Sequence, residues 1–308
     1  MNMECMELER RLAIGFNEHM SLAKRHNYII TGADLESIAR SEPKFRFYRR
    51  ETRDVIHWLS RSRDNSIIWF GEKGYPDFRP IKYRLPYMIF CTGKRPDWVN
   101  LCAAIVGTRH ATYGGMQQAF RFGMEAAVNL IGVVSGFAEG IDQSAMRGSL
   151  EGEGRCIGIL GCGHDVEYPG LTLGLRERIK DAGGCVLSRF APQTPAYKGN
   201  FISRNIMIAA YSSFVVAVQA PENSGTLSTC DFATQQGKDI YVGSEGIGDR
   251  FVQAGTSALF HDGARMISSL TDGSVEGVEP GLMVIESEDG QGGKRYGDRI
   301  YRINEFIG

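Results

Sequence analysis

The chain has 308 residues, 43% of them hydrophobic and 38 of them glycine, with 35 Lys and Arg against 36 Asp and Glu for a net charge of −1. That length holds one large domain or two ordinary ones, and the composition excludes collagen, an intrinsically disordered chain and a small disulfide-stapled fold. The near-neutral charge excludes a strong global attraction to nucleic acid or to a membrane, while leaving room for a local basic groove. No run of about 18 apolar residues occurs, so no membrane segment is expected. The acidic start, residues 1–7, lacks the apolar stretch of a secretory signal. The cysteines at 5, 91, 102, 156, 162, 185 and 230 are odd in number and form no Cys-x-x-Cys. They predict reduced thiols in a cytoplasm, with neither a zinc site nor another metal, and no cofactor is expected.

In chain order, residues 1–62 read as a small helical domain. Leu8, Leu12, Ile14, Phe16, Met20 and Leu22 fall at roughly helical spacing, and Thr31 to Asp34 give a start signal before Leu35 and Ile38. Pro43 ends that helix, because the residue before a proline is pushed out of the helical region. The stretch 44–53 carries five positive charges against one negative, interleaved with Phe45, Phe47 and Tyr48. Such a mixture can hold phosphates and stack bases, but it reads more simply as a solvated helix face anchored by its rings. Residues 63–102 read as a connector with strands at 66–70 and 85–91 around a turn at Gly74-Tyr75-Pro76.

From 103 to 269 short, near-continuous apolar strands alternate with helices. The strands are expected at 103–107, 132–135, 156–160, 185–188, 214–218 and 240–242, and the helices at 113–130, 143–150, 171–181, 202–210 and 227–236. That pattern predicts an α/β, doubly wound, mostly parallel sheet of the Rossmann-like kind, covered on both faces. The remainder, 270–308, reads as a short tail with room for two strands, at 282–285 and 299–303, and too little for a full winged helix.

In open parallel sheets ligands bind beyond the carboxyl ends of the strands. The first such loop, 107–115, offers glycines, a helix start and Arg109, a fixed charge suited to phosphate. It lacks Gly-x-Gly-x-x-Gly, so dinucleotide binding has little support. In the second, Asp142 reads as a helix cap rather than as a catalytic acid. In the third, Cys162 and His164 read as a turn with a small buried thiol rather than as a nucleophile and base. The fourth, 195–205, combines Lys198 and Arg204 with Asn200 and Asn205 and with Tyr197 and Phe201. That mixture suits a single strand, and equally a surface loop that bridges to the next helix. The fifth, 222–229, is another anion-friendly helix start.

Taken in order, these loops resemble those of the DNA-processing protein A (DprA/Smf) family. Gly107-Thr108-Arg109, Ser135 through Asp142, Gly161-Cys162-Gly163 with Tyr168-Pro169, Phe201 with Arg204-Asn205, and Ser224 through Thr229 each match a family motif. Gly74-Tyr75-Pro76 matches an element upstream. The resemblance spans roughly residues 66–268 and implies a non-catalytic protein that binds single-stranded DNA and delivers it to the RecA recombinase, notably in natural transformation. It also implies a homodimer formed through the Rossmann-like domain, and a SAM-like N-terminal module. Carried over by motif, Arg109, Lys198, Asn200, Phe201, Arg204 and Asn205 would form the DNA pocket. Thr108, Ser135, Gly136, Ser224, Gly225 and Thr226 would supply backbone and hydroxyl donors. The chain departs from the family at Glu139, Ile206, Gln219 and Gly243-Ser244. Two other functions suit the same fold class. One is a nucleotide phosphoribohydrolase-like enzyme, whose Pro-Gly-Gly-x-Gly-Thr-x-x-Glu element is not met at 223–229. The other is a small-nucleotide sensor, which calls for a fused effector. Val252 and Leu259, with Phe251 and Phe260, are a candidate dimer surface.

Overall fold

The computed structural model describes residues 3–76, 85–97, 101–170, 172–248, 250–271 and 273–275, together with the backbone of 294–296 and 299–301. Four helices come first: α1 (Met3–Gly15), α2 (Leu22–Ile30), α3 (Leu35–Ser41) and α4 (Arg49–Arg61). The start signal read at Asp34 is realised, since its carboxylate accepts the Ser37 N–H at 2.8 Å at the head of α3. Leu12, Leu22, Val55 and Trp58 pack with Ile67, Trp69, Tyr87, Met88 and Phe90 in one core. The helical module is therefore seated on the first two strands rather than tethered at a distance.

Those strands, β1 (Asn65–Trp69) and β2 (Met88–Gly93), pair antiparallel, and β2 runs antiparallel to β6 (Cys185–Ser188). The segment 63–102 thus adds two strands to the edge of the main sheet. The rest of the series is β3 (Cys102–Val106), α5 (Tyr113–Val128), β4 (Gly132–Ser135), α6 (Ile141–Glu151), β5 (Cys156–Leu160), α7 (Leu173–Asp181), β6, α8 (Lys198–Tyr211), β7 (Phe214–Ala217), α9 (Gly225–Thr234) and β8 (Ile240–Gly243). It closes with α10 (Ala254–His261) and β9 (Arg265–Ile267). The sheet order is β1-β2-β6-β5-β4-β3-β7-β8-β9, parallel from β6 through β9. This is the doubly wound α/β architecture that the alternating apolar strands predict.

The strands read as continuous apolar runs because successive side chains serve two cores. Ala103, Ile105, Val133, Val186 and Val216 face one side with Ala119, Phe122 and Ala126 of α5, Ala145 and Met146 of α6, and Leu175 and Ile179 of α7. Ala104, Val106, Val134, Ile157 and Val215 face the other with Ile206 through Ala210 of α8 and Cys230 and Phe232 of α9. All seven cysteines are unpaired, and six are buried. Burial pushes the thiols of Cys102, Cys156 and Cys230 up to about 12, which keeps them protonated and inert. In the tail β10 (Lys294–Tyr296) pairs antiparallel with β11 (Arg299–Tyr301). The strand expected at 282–285 lies outside the described residues. Among the described residues no helix is long and apolar enough to cross a membrane, and no group of three or more metal-ligating side chains occurs.

Candidate nucleic-acid interface

The strand order reverses between β3 and β7, whose neighbouring carboxyl ends leave a crevice that no crossover covers. A cleft of about 300 Å³ opens there. Gly107, Thr108, Arg109 and His110 line it from the loop after β3, Ala138 and Asp142 from the loop after β4 and the start of α6, Phe201, Arg204, Asn205 and Ile208 from α8, and Ser224 to Thr226 with Thr229 from the start of α9.

Arg204 is the fixed point. It is 5% exposed, and its guanidinium donates to the carbonyls of Ile159, at 2.8 Å, and Gly136, while Nε donates to Asn205 Oδ1 at 3.1 Å. A Cβ on Gly136 would occupy the space of that guanidinium, so only glycine lets the backbone approach it. The facing anion is Asp142, which accepts from the N–H groups of Gly107 at 3.2 Å, Gly136 at 3.0 Å and Ala138 at 3.4 Å. Burial raises the Asp142 carboxyl, and the Arg204 charge with those three donors pulls it back. Burial likewise lowers the Arg204 guanidinium against the opposing Asp142 charge. Asp142 is thus not the cap of its helix. The capping position of α6 is Gly140, at φ +77°, and the carboxylate instead ties the loops after β3 and β4 together.

Around Arg204 sits a cationic and aromatic cluster. The Phe201 ring has the Arg204 Cζ at 5.8 Å and the Arg109 Cζ at 5.5 Å, and its centroid is 5.2 Å from that of Tyr168. Exposed Arg109 also donates to the Tyr168 hydroxyl at 3.2 Å. Gly161 makes room for Phe201, because a Cβ there would come within 2.6 Å of the ring. Asn205 donates to the Gly225 carbonyl at 2.9 Å and to Ser228 Oγ at 3.0 Å, fastening α8 to the head of α9. Ser224 caps α9, its Oγ accepting from Thr226 at 3.1 Å. Neither α8 nor α9 has an acidic residue in its first turn, so both present the partial positive charge of a helix start.

Eight residues singled out in the sequence line the cleft: Thr108, Arg109, Phe201, Arg204, Asn205, Ser224, Gly225 and Thr226. Four do not. Ser135 is fully buried and donates to the Ile105 carbonyl at 2.7 Å, inside the sheet. Gly136 acts behind Arg204. Asn200 donates to the Pro195 carbonyl at 3.2 Å, and Lys198 is exposed at the first position of α8. The stretch 195–205 is also less of a loop than its composition suggests, since the helix starts at Lys198. Gly199 and Asn200 carry no helical signal, but Phe201 and Arg204, packed one turn apart against Gly161 and Gly136, hold the first turns in place. Cys162 and His164 do not engage each other. The Cys162 thiol points to the Val166 carbonyl at 3.6 Å, and the His164 ring lies 5.2 Å from that of Trp58. Tyr168 is the participant the residue reading passed over, its trace being the Tyr-Pro pair. His110 is another, a lining residue next to Arg109. Phe45 and Phe47 pack edge-on at 5.5 Å in the helical module, away from this cleft.

A family model described as DNA recombination-mediator protein A matches residues 66–276. DNA processing protein DprA of Bacillus subtilis is 29% identical over 257 residues, 82% of this chain and 84% of the relative. DNA processing protein DprA of Streptococcus pneumoniae is 30% identical over 194 residues, 62% of this chain and 66% of that relative's length. The X-ray structure of the Streptococcus pneumoniae protein shares the fold at TM-score 0.68 and 24% identity, covering 86% of this chain and 94% of that one. A structure of DNA processing protein A from Helicobacter pylori, described for its single-stranded DNA binding mode, aligns at TM-score 0.55 and 26% identity over 66% of this chain and 91% of that one.

Proposed function

The chain belongs to the DNA recombination-mediator protein A family, and from that membership we propose that it binds single-stranded DNA in the cleft between β3 and β7 without catalysis. The observation that carries the reading is the Arg109–Tyr168–Phe201–Arg204 cluster, set beside the start of α9. Phosphates meet Arg109 and the N–H groups heading α9, with exposed Lys198 outside the cleft wall, while bases stack on Phe201 and Tyr168. Thr108, Asn205, Ser224, Gly225 and Thr226 complete the wall, and Ser135, Gly136 and Asn200 hold it from behind. Glu139, exposed beside Ala138, sets a negative charge near the strand's path and lowers affinity. The bound strand is passed to the RecA recombinase, and the working form is a cytoplasmic homodimer. Against chemistry in the cleft, Asp142 is the carboxylate among the described lining residues, and three backbone donors engage it.

The test is fluorescence anisotropy of a labelled single-stranded oligonucleotide, titrated across salt with duplex competitor. Arg109→Glu is expected to weaken binding roughly tenfold or more for all sequences alike and to reduce the salt slope by about 1. Binding that ignores salt, or that Arg109→Glu leaves unchanged, would overturn the assignment. Release of a free base from a nucleoside monophosphate would move the function to a hydrolase.

A further inference from the structure

The loop between β5 and α7, residues 161–170, carries Tyr168 to the cleft and is gripped from two sides. From inside, Arg176 of α7 is 5% exposed and donates to three of its carbonyls: His164 at 3.3 Å, Val166 at 3.1 Å and Tyr168 at 3.2 Å. A planar guanidinium can serve three acceptors along a curved backbone in one fixed geometry, which the ammonium of a lysine cannot do. From outside, the helical module holds the other end. The Trp58 ring of α4 lies over His164 at 5.2 Å and 32°, and Arg61 of α4 forms an ion pair with Asp165. The His164 ring is also tied to β2, with Nε2 3.1 Å from the Phe90 carbonyl oxygen and Nδ1 3.2 Å from Thr92 Oγ1. One end of the loop is thus fastened to the module and its strands. The other ends in Tyr168, whose hydroxyl accepts from Arg109 and whose ring meets Phe201.

We propose that Arg176 and the α4 pair Trp58 and Arg61 are positioning residues for Tyr168, so that the N-terminal helical module sets how firmly the cleft grips a base. The inference rests on the reading of the cleft as a single-stranded DNA site. The module acts through the loop, a contiguous series of packed rings and hydrogen bonds with an identified element at each end. The Arg61–Asp165 pair is well suited to a test because both side chains are partly exposed, 44% and 25%, and such pairs contribute little to global stability.

The experiment has two readouts on the full chain. Without DNA, 3-fluorotyrosine labelling gives a 19F resonance for Tyr168, identified by its loss in Tyr168→Phe. Arg61→Ala is expected to shift it and Arg61→Lys to restore it. With an oligonucleotide carrying 2-aminopurine, Arg61→Ala is expected to weaken binding about three- to tenfold and to reduce the stacking quench, but to add no loss in a Tyr168→Ala background. An unmoved resonance, or the same fold-loss in both backgrounds, would overturn the proposal. Arg176→Lys is the second variant and is expected to move the same resonance. If the wild-type chain binds no single strand while the resonance still shifts, the reading of the cleft fails and the wiring of Tyr168 stands.

Discussion

Asp142 and Arg204 show how much of the cleft depends on two side chains that are almost wholly withdrawn from water. Each is about 95% buried, and each offsets the desolvation of the other. Their hydrogen bonds end on the backbone of the loops after β3 and β4 and of β5 at Ile159, so the pair sets loop geometry as well as charge. Removing one partner of such an arrangement leaves an uncompensated buried charge, which costs about 3–5 kcal/mol. Asp142→Ala is therefore expected to lower the calorimetric melting temperature sharply or to prevent folding. Asp142→Asn keeps the shape and part of the acceptor capacity, and is expected to lose less. Equal melting temperatures for wild type and Asp142→Ala would mean that Arg204 does not depend on this anion. Exposed Arg109 carries no comparable burden, which is why a charge reversal there tests binding rather than folding.

At the scale of elements, α8 joins the cleft to the opposite end of the sheet. Its first turns carry Phe201 and Arg204, and its last carbonyls are closed by Lys238, from the turn before β8. The Lys238 ammonium donates to Ala209 at 2.5 Å, to Ala210 at 3.1 Å and to Ser212. A cation at a helix C-terminus is favourable, and here it also satisfies carbonyls that the helix leaves unpaired. Burial lowers its pKa to about 8, so it remains mostly charged at neutral pH. Lys238→Met is expected to cost about 2 kcal/mol in urea unfolding, the sum of a dipole contribution and lost hydrogen bonds. An unchanged midpoint would show that solvent caps α8 equally well. The elements differ in how far local sequence reveals them. Strands β3 to β8 were legible because burial on both faces demands apolar residues at every position. The start of α8 was not, because Gly199 and Asn200 oppose a helix and only distant contacts hold it. Exposed Arg265 and Met266 hid β9. The loops of the cleft were legible as positions, from strand ends and glycines. The burial of Arg204 was not, since an arginine in a polar stretch reads as surface, and its pocket is built by residues 45 and 68 positions away.

For the whole molecule, the two edges of the sheet are finished differently. At the β1 edge, α1 and α4 bury Trp58 and Trp69, and the aromatic side chains there find partners within the chain. Toward the β9 edge, large apolar side chains face outward: Phe251 is 78% exposed, Met266 47% and Phe260 38%. Single exposed apolar residues are ordinary, but several on neighbouring elements at one end of a sheet are the usual mark of an interaction surface. A second copy of the chain is the occupant that the homodimer reading calls for. Phe251→Glu is then expected to convert a species of twice 34.1 kDa into one of 34.1 kDa in light scattering at micromolar concentration. Its melting temperature should fall only by what association contributed, to a value that no longer depends on protein concentration, since the exposed ring contributes little to the core. Dimer loss should also act on binding in a length-dependent way. A strand long enough to span two clefts gains avidity from an effective concentration that a short strand cannot use, without any new contact. Phe251→Glu is expected to weaken a long oligonucleotide by about 10²-fold or more, and one confined to a single cleft hardly at all. Equal weakening at both lengths would place Phe251 in the DNA path, and a wild-type chain that is already monomeric would remove this surface from the account.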